Sequence, residues 1–127
     1  GGITSVEEAK FQLKKIDGVM IGRAAYHTPY LLAEIEKEIF DNKNVPSRQD
    51  VIEQLIPYVK SEIKKGTRLN QIMRHTLGLF HGQTGASNWK RYLSENMCVR
   101  DADVKKIDHI MDKIKFNNVD TSVGQSA

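Results

Sequence analysis

Cysteine is all but absent from this chain: Cys98 is the single one in 127 residues. One thiol excludes an intrachain disulfide and leaves no cysteine cluster for a structural metal. In a helical stretch it reads as a small buried hydrophobe rather than a reactive group. Long apolar runs are missing as well. No segment approaches the roughly 20 residues that a membrane-spanning helix needs, and no basic-then-apolar leader opens the chain, so a cytoplasmic protein with no membrane span is expected. An initiator methionine is also lacking, and the opening Gly1-Gly2 is read as the start of a chain from which something upstream has been removed. What is present is ordinarily globular, with 39% apolar and 28% charged residues. That balance argues against disorder until the last residues are reached.

The formal charge of +3 hides an asymmetry. Residues 1–59 carry 7 Lys+Arg and 9 Asp+Glu, whereas residues 60–127 carry 12 and 7. Between residues 60 and 100 the basic residues number 8 and the acidic ones 2. A basic surface gathered in one segment suits a polyanion, because Lys and Arg that neutralise phosphates release condensed counterions. A solvated helical face is the plainer reading of the same charges.

Along the chain, Ser5-Val6-Glu7-Glu8 has the form of a capping box, with Ser5 as cap and Glu8 reaching back. Val6, Ala9, Leu13 and Ile16 then recur at helical spacing, predicting a helix from about Val6 to Lys15. Asp17-Gly18 stops it, and the wholly apolar Val19-Met20-Ile21 reads as a short strand buried on both faces, with ladder partners before Gly1. Thr28-Pro29 opens a helix to about Phe40, lined by Leu31, Leu32, Ile35 and Ile39. The polar stretch Asp41 to Pro46 is the best domain boundary.

Beyond it the pattern predicts four helices. Ser47 caps the first, with a stripe of Ile52, Ile56, Val59 and Ile63 up to Gly66; Thr67 opens the second, carrying Leu69, Ile72, Met73, Thr76, Leu77 and Phe80 to a stop at Gly82. The third runs from about Ala86 to Asn96 around Trp89 and Leu93, and the fourth follows Asp101 with Val104, Ile107, Ile110, Met111 and Ile114. These stripes suit a small bundle around one core. Asn117 to Ala127 lacks periodicity and reads as a flexible tail.

Two glycine motifs bear on chemistry. Gly1-Gly2-Ile3 opens one helix, and Gly22-Arg23 follows the apolar run twenty residues later. In a (β/α)₈ barrel the loops after the last two strands commonly hold a phosphate on backbone N–H groups and a helix N-terminus. Glycine allows close approach of the backbone, and an arginine can add a bidentate contact. Ordinary turns account for the same residues.

The run Gly1-Gly2-Ile3-Thr4-Ser5, followed by Asp17-Gly18-Val19-Met20-Ile21-Gly22-Arg23-Ala24-Ala25-Tyr26, resembles the end of the barrel of tRNA-dihydrouridine synthases. There NGGI and DGVMxGR motifs hold the FMN phosphate. A second run, His75-Thr76-Leu77-Gly78-Leu79-Phe80-His81-Gly82 with Gly85-Ala86-Ser87-Asn88-Trp89-Lys90-Arg91-Tyr92-Leu93-Ser94-Glu95, is similar to the helical domain of the A-type branch. The two runs stand in the family's order, and the resemblance covers about residues 1–115.

The resemblance implies a mainly α chain: the last β/α element of a flavin-binding TIM barrel over residues 1–43, a four-helix tRNA-binding domain over 44–116, and a tail over 117–127. It implies an oxidoreductase that uses FMN, with NADPH as reductant, to reduce uridine to 5,6-dihydrouridine in the tRNA D-loop, working as a monomer. Gly1, Gly2, Gly22 and Arg23 carry over as FMN-phosphate contacts, although the asparagine expected before Gly1 is missing. The family's active-site cysteine belongs to an earlier barrel loop, Cys98 matches no catalytic motif, and the chain by itself is expected to be inactive.

On the third helix of this domain, Trp89 and Leu93 define the buried side. Asn88 and Arg91, three apart, share another stripe suited to RNA, with Lys90 as a phosphate contact. Lys64, Lys65 and Arg68 cluster around Gly66, and Arg74 extends the track; helix-end lysines also satisfy the helix dipole. His75 and His81 stand six apart, off any ligand spacing, and are expected in core or capping roles. His27 is a lesser candidate for the flavin edge, and Trp89 a core anchor rather than a stacking platform. The competing readings are a stand-alone helical RNA-binding module, a protein-interaction bundle with an incidental basic face, and the end of another flavin barrel.

Overall fold

The computed structural model describes residues 1–97 and His109. Cys98, the helix expected after Asp101 and the expected tail lie outside the described residues. The chain divides into two compact units, Gly1–Pro46 and Ser47–Ala127. Among the described residues the regular structure is helical throughout, with no strand.

In the first unit, α1 spans Val6–Leu13. The Ser5 hydroxyl accepts the Glu8 N–H at 3.2 Å. The Glu8 carboxylate reaches back one residue further than a standard capping box requires and accepts from the Thr4 N–H at 2.8 Å. Val6 and Ala9 are buried, whereas Ile16, expected on the same stripe, is exposed beyond the end of the helix. The apolar run Val19 to Ile21 has no regular structure and joins no ladder, and Met20 is 73% exposed. A strand needs a neighbour to pair with, and none is present among the described residues.

Gly22-Arg23, expected in a loop, instead begins a short helix α2, Arg23–His27. Thr28 closes it by donating its N–H to the Ala24 carbonyl, so it does not cap the following helix by its side chain. A turn through Pro29 and Tyr30 leads into α3, Leu31–Glu38. Leu31 is buried, but Leu32 is 52% exposed and is not part of the inward stripe. α1 packs against α3, and Lys10 and Glu38 join the two at 3.1 Å. Both partners are exposed, so this pair contributes little.

The second unit opens with α4, Arg48–Lys64. Ser47 and Asp50 form a complete capping box: the Asp50 N–H donates to the Ser47 hydroxyl at 3.1 Å, and the Ser47 N–H donates to the Asp50 carboxylate at 2.9 Å. The bond from Ser47 holds the Asp50 carboxyl below the usual carboxylate range. Ile52 and Val59 are the buried centre of the inward face.

The long second helix expected from Thr67 to Gly82 is not formed. α5 covers only Leu69–Met73, and a 3₁₀ turn follows at Arg74–Thr76. From there the backbone advances by bonds of three-residue span, Leu79 to Thr76, His81 to Gly78, Gln83 to Phe80 and Ala86 to Gln83. Side chains from elsewhere occupy carbonyls that a continuous helix would use. The Trp89 indole N–H donates to the Thr76 carbonyl at 3.0 Å, and the Arg48 guanidinium donates to the Leu79 carbonyl at 2.9 Å. Helical spacing of apolar residues is satisfied here by a folded turn, because Leu69, Met73, Leu79 and Phe80 are all buried.

α6 spans Ala86–Asn96, as its sequence pattern predicts. Gly85 precedes it at φ +88°, in the left-handed region that glycine adopts without a Cβ penalty. Trp89 is 5% exposed and Leu93 fully buried, and Trp89 meets Phe80 edge-on with ring centroids 5.2 Å apart. The core of this unit therefore lies between α4, α5, the turn segment and α6. Its position leaves the other faces of α4 and α6 to solvent.

Candidate functional site

The phosphate-binding candidates all belong to the first unit. Gly1 and Gly2 line an open groove of about 530 Å³ together with Ile3, Glu7, Glu8, Phe11 and Gln12. Gly2 takes φ +79°, and nothing stands within 4 Å of the place a Cβ would occupy, so its backbone can be approached closely. Gly22 caps α2, and Arg23 is that helix's exposed first residue, with no partner among the described residues. Neither Gly22 nor Arg23 lines the groove, so the two motifs are not gathered into one cavity.

In kind, the donor set suits a phosphate: exposed backbone at two glycines and a free guanidinium. The carboxylates of Glu7 and Glu8 on the groove oppose an anion, but that of Glu8 is held by the Thr4 N–H and hydroxyl. His27 is exposed and meets the Tyr26 ring edge-on at 5.6 Å. It does not line the groove.

The basic candidates belong to the second unit. Asn88 and Arg91 are both exposed on α6, and the Arg91 guanidinium donates to the Asn88 side-chain oxygen at 3.3 Å. Their three-residue spacing thus does place them side by side. Lys90 is also exposed, but one residue turns an α-helix by about 100°, so it looks away from that pair. Glu95, four residues after Arg91 and exposed, shares the Arg91 stripe and lowers its net charge.

Arg68 stands exposed at the start of α5, and Arg74 exposed just beyond its end. A five-residue helix separates them, so a single continuous stripe does not join them. His75 and His81 are exposed, which rules out the core role expected of them as one of two. Both fall in the turn segment that replaces the expected helix, where the inward positions go to Leu79 and Phe80. No group of three His, Cys, Asp or Glu side chains able to hold a metal exists among the described residues. Among the described residues no helix is long and apolar enough to cross a membrane.

Trp89 is an anchor, as its position four residues from Leu93 suggests: its ring is buried and its N–H is spent on Thr76. The sequence reading passed over two residues. Arg48 fixes the turn segment through Leu79, and only its place beside a helix cap hinted at anything. Tyr58 is 55% exposed on α4, and its position off the apolar stripe was the available signal.

The described residues thus offer a glycine pair on an open groove, an exposed Gly-Arg helix start and, in the second unit, a helical core around a buried Trp. The family model for dihydrouridine synthase (Dus) matches residues 1–115, and the chain belongs to that family. Its relatives are proteins named tRNA-dihydrouridine(20/20a) synthase. That of Vibrio cholerae is 42% identical over 120 residues, covering 94% of this chain and 37% of that protein. That of Shewanella oneidensis is 43% identical over 124 residues, covering 97% and 36%. That of Escherichia coli K12 is 45% identical over 112 residues, covering 87% and 32%. The chain therefore spans about a third of the length of the curated relatives it matches.

Proposed function

We propose that this chain is the C-terminal portion of an FMN-dependent tRNA-dihydrouridine synthase. In this reading residues 1–43 close the phosphate end of a flavin barrel, and residues 44–116 grip tRNA. The whole enzyme reduces the C5–C6 double bond of a D-loop uridine, with NADPH as the source of electrons. Bound FMN supplies the hydride.

The chain's own residues bind and position. Gly1 and Gly2 offer open backbone to the flavin phosphate, and Gly22 with Arg23 offers a helix start and a guanidinium. Asn88 and Arg91 meet RNA, Arg91 on a phosphate or a base face and Asn88 on a base edge or a 2′-hydroxyl. Lys90, Arg74 and Arg68 add phosphate contacts from other directions. Proton transfer to the uracil ring is assigned to none of these residues, so the chain by itself binds tRNA without turning it over.

The observation that carries the RNA assignment is the exposed Asn88–Arg91 pair on a helix whose opposite side holds the core. In the full-length enzyme Arg91→Ala is expected to weaken binding of unmodified tRNA about 10-fold, on the order of one charge-assisted contact, and to lower the salt slope by roughly 0.7–0.9. Arg23→Ala is expected to loosen FMN and leave tRNA affinity unchanged. Titrations of both ligands against both variants separate the two roles. Lost flavin with intact tRNA affinity in Arg91→Ala would refute the assignment.

A further inference from the structure

RNA modules take unpaired bases on aromatic faces, which makes the accessible aromatic residues of the second unit informative. Its described aromatics are Tyr58, Phe80, Trp89 and Tyr92. Phe80 and Trp89 are packed on one another in the core. Tyr92 is part-buried, and burial pushes its phenol above the usual tyrosine range. Tyr58 is the one exposed large hydrophobic residue described in this unit.

Its surroundings suit a polyanion. At 100° per residue Tyr58 shares a stripe with Gln54, Ser61 and Lys65, and stands about 100–120° around the helix from the buried Val59 and Ile52. All four side chains of this stripe are exposed. Of the carboxylates on α4, Asp50 is engaged by Ser47, and Glu62 by the Thr67 hydroxyl at 2.9 Å and Lys65 at 3.2 Å; Glu53 is exposed and, five residues before Tyr58, lies about 140° around the helix from it. Those bonds, that from Thr67 foremost, hold the Glu62 carboxyl below its usual range. The stripe runs toward Lys64, Lys65 and Arg68 around Gly66, where phosphates would be neutralised.

We infer that the outer face of α4 is a second RNA-contacting surface, on which Tyr58 stacks an unpaired base of the bound RNA while Gln54 and Lys65 flank it. The inference rests on the reading of this unit as a tRNA grip. It adds a site on a different helix from α6 and a different mode, stacking rather than charge.

The test titrates the 127-residue chain, as wild type and as Tyr58→Ala, Tyr58→Phe and Lys65→Ala, against an unmodified tRNA transcript and a fully paired RNA duplex over a salt series. Stacking predicts that Tyr58→Ala binds tRNA roughly 5- to 150-fold more weakly with an unchanged salt slope. Duplex affinity stays as it was, and Tyr58→Phe behaves as wild type. Lys65→Ala is expected to lower the slope instead. Because Tyr58 is 55% exposed, the thermal midpoint of Tyr58→Ala should stay close to wild type. Unchanged tRNA affinity in Tyr58→Ala, or an equal loss for tRNA and duplex with a lowered midpoint, overturns the stacking site. A folded wild-type chain that does not bind tRNA at low salt overturns the tRNA reading, and the stacking site with it.

Discussion

The two units solve the problem of folding unequally. Among the described residues Gly1–Pro46 buries Val6, Ala9 and Leu31 and leaves Phe11, Ile16, Met20, Tyr26, Leu32 and Phe40 largely in solvent. Among its described residues the second unit buries nine apolar side chains, from Ile52 to Met97, and Tyr58 is the one large apolar side chain left exposed. Hydrophobic stabilisation scales with area removed from water, so the second unit has a core that can hold it and the first has the beginnings of one. Exposed apolar residues in such density mark a surface suited to being covered. The difference teaches that α1 to α3 leave much of their apolar surface uncovered, whereas α4 to α6 enclose a core of their own.

That contrast can be broken most directly in the cores. Leu93→Ala is expected to cost about 2–5 kcal/mol in the second unit, and Leu31→Ala distinctly less in the first, where fewer neighbours remain to lose. Urea unfolding followed separately in each unit would read both, and equal losses would remove the distinction. A smaller effect is expected at the entry to α4. Ser47→Ala removes one half of the capping box and should cost about 1 kcal/mol, measured the same way.

The smallest effect is on pH. Asp50 and Glu62 have carboxyls lowered by their hydrogen bonds, from Ser47 and from Thr67 with Lys65 respectively. A carboxyl lowered in the folded state stabilises above its unfolded value and loses that contribution as pH falls through the folded one. The ends of α4 should therefore weaken only below the ordinary carboxylate range. Ser47→Ala should flatten the Asp50 share of that dependence in an acid unfolding series.

Much of the second unit was legible in its sequence because local and tertiary signals agree there. Ser47 and Asp50 mark the start of α4, and Trp89 and Leu93 mark the buried side of α6, whose bounds match the pattern. The turn segment after α5 was not legible. Its apolar spacing is helical, and what diverts it is a pair of donors, Arg48 and Trp89, whose targets no local pattern reveals. In the first unit Val19 to Ile21 carries a strand's composition without a strand's neighbours, and Leu32 carries a helix-stripe residue without anything to cover it. As for the candidate site, spacing was enough to bring Asn88 beside Arg91. The same spacing turns Lys90 away from that pair and leaves Tyr58 off the apolar stripe of α4.

The two clamps on the turn segment also carry a consequence for order in time. Trp89 lies 13 residues beyond the carbonyl it holds, and Arg48 lies 31 residues before its own. Bonds of such reach form only after their chain loops have closed, whereas the helices on either side can start from neighbouring residues. The segment from Thr76 to Gly85 is thus expected to settle only once the loops to Arg48 and Trp89 have closed. Its turns depend on two side chains, from α4 and α6, being in place.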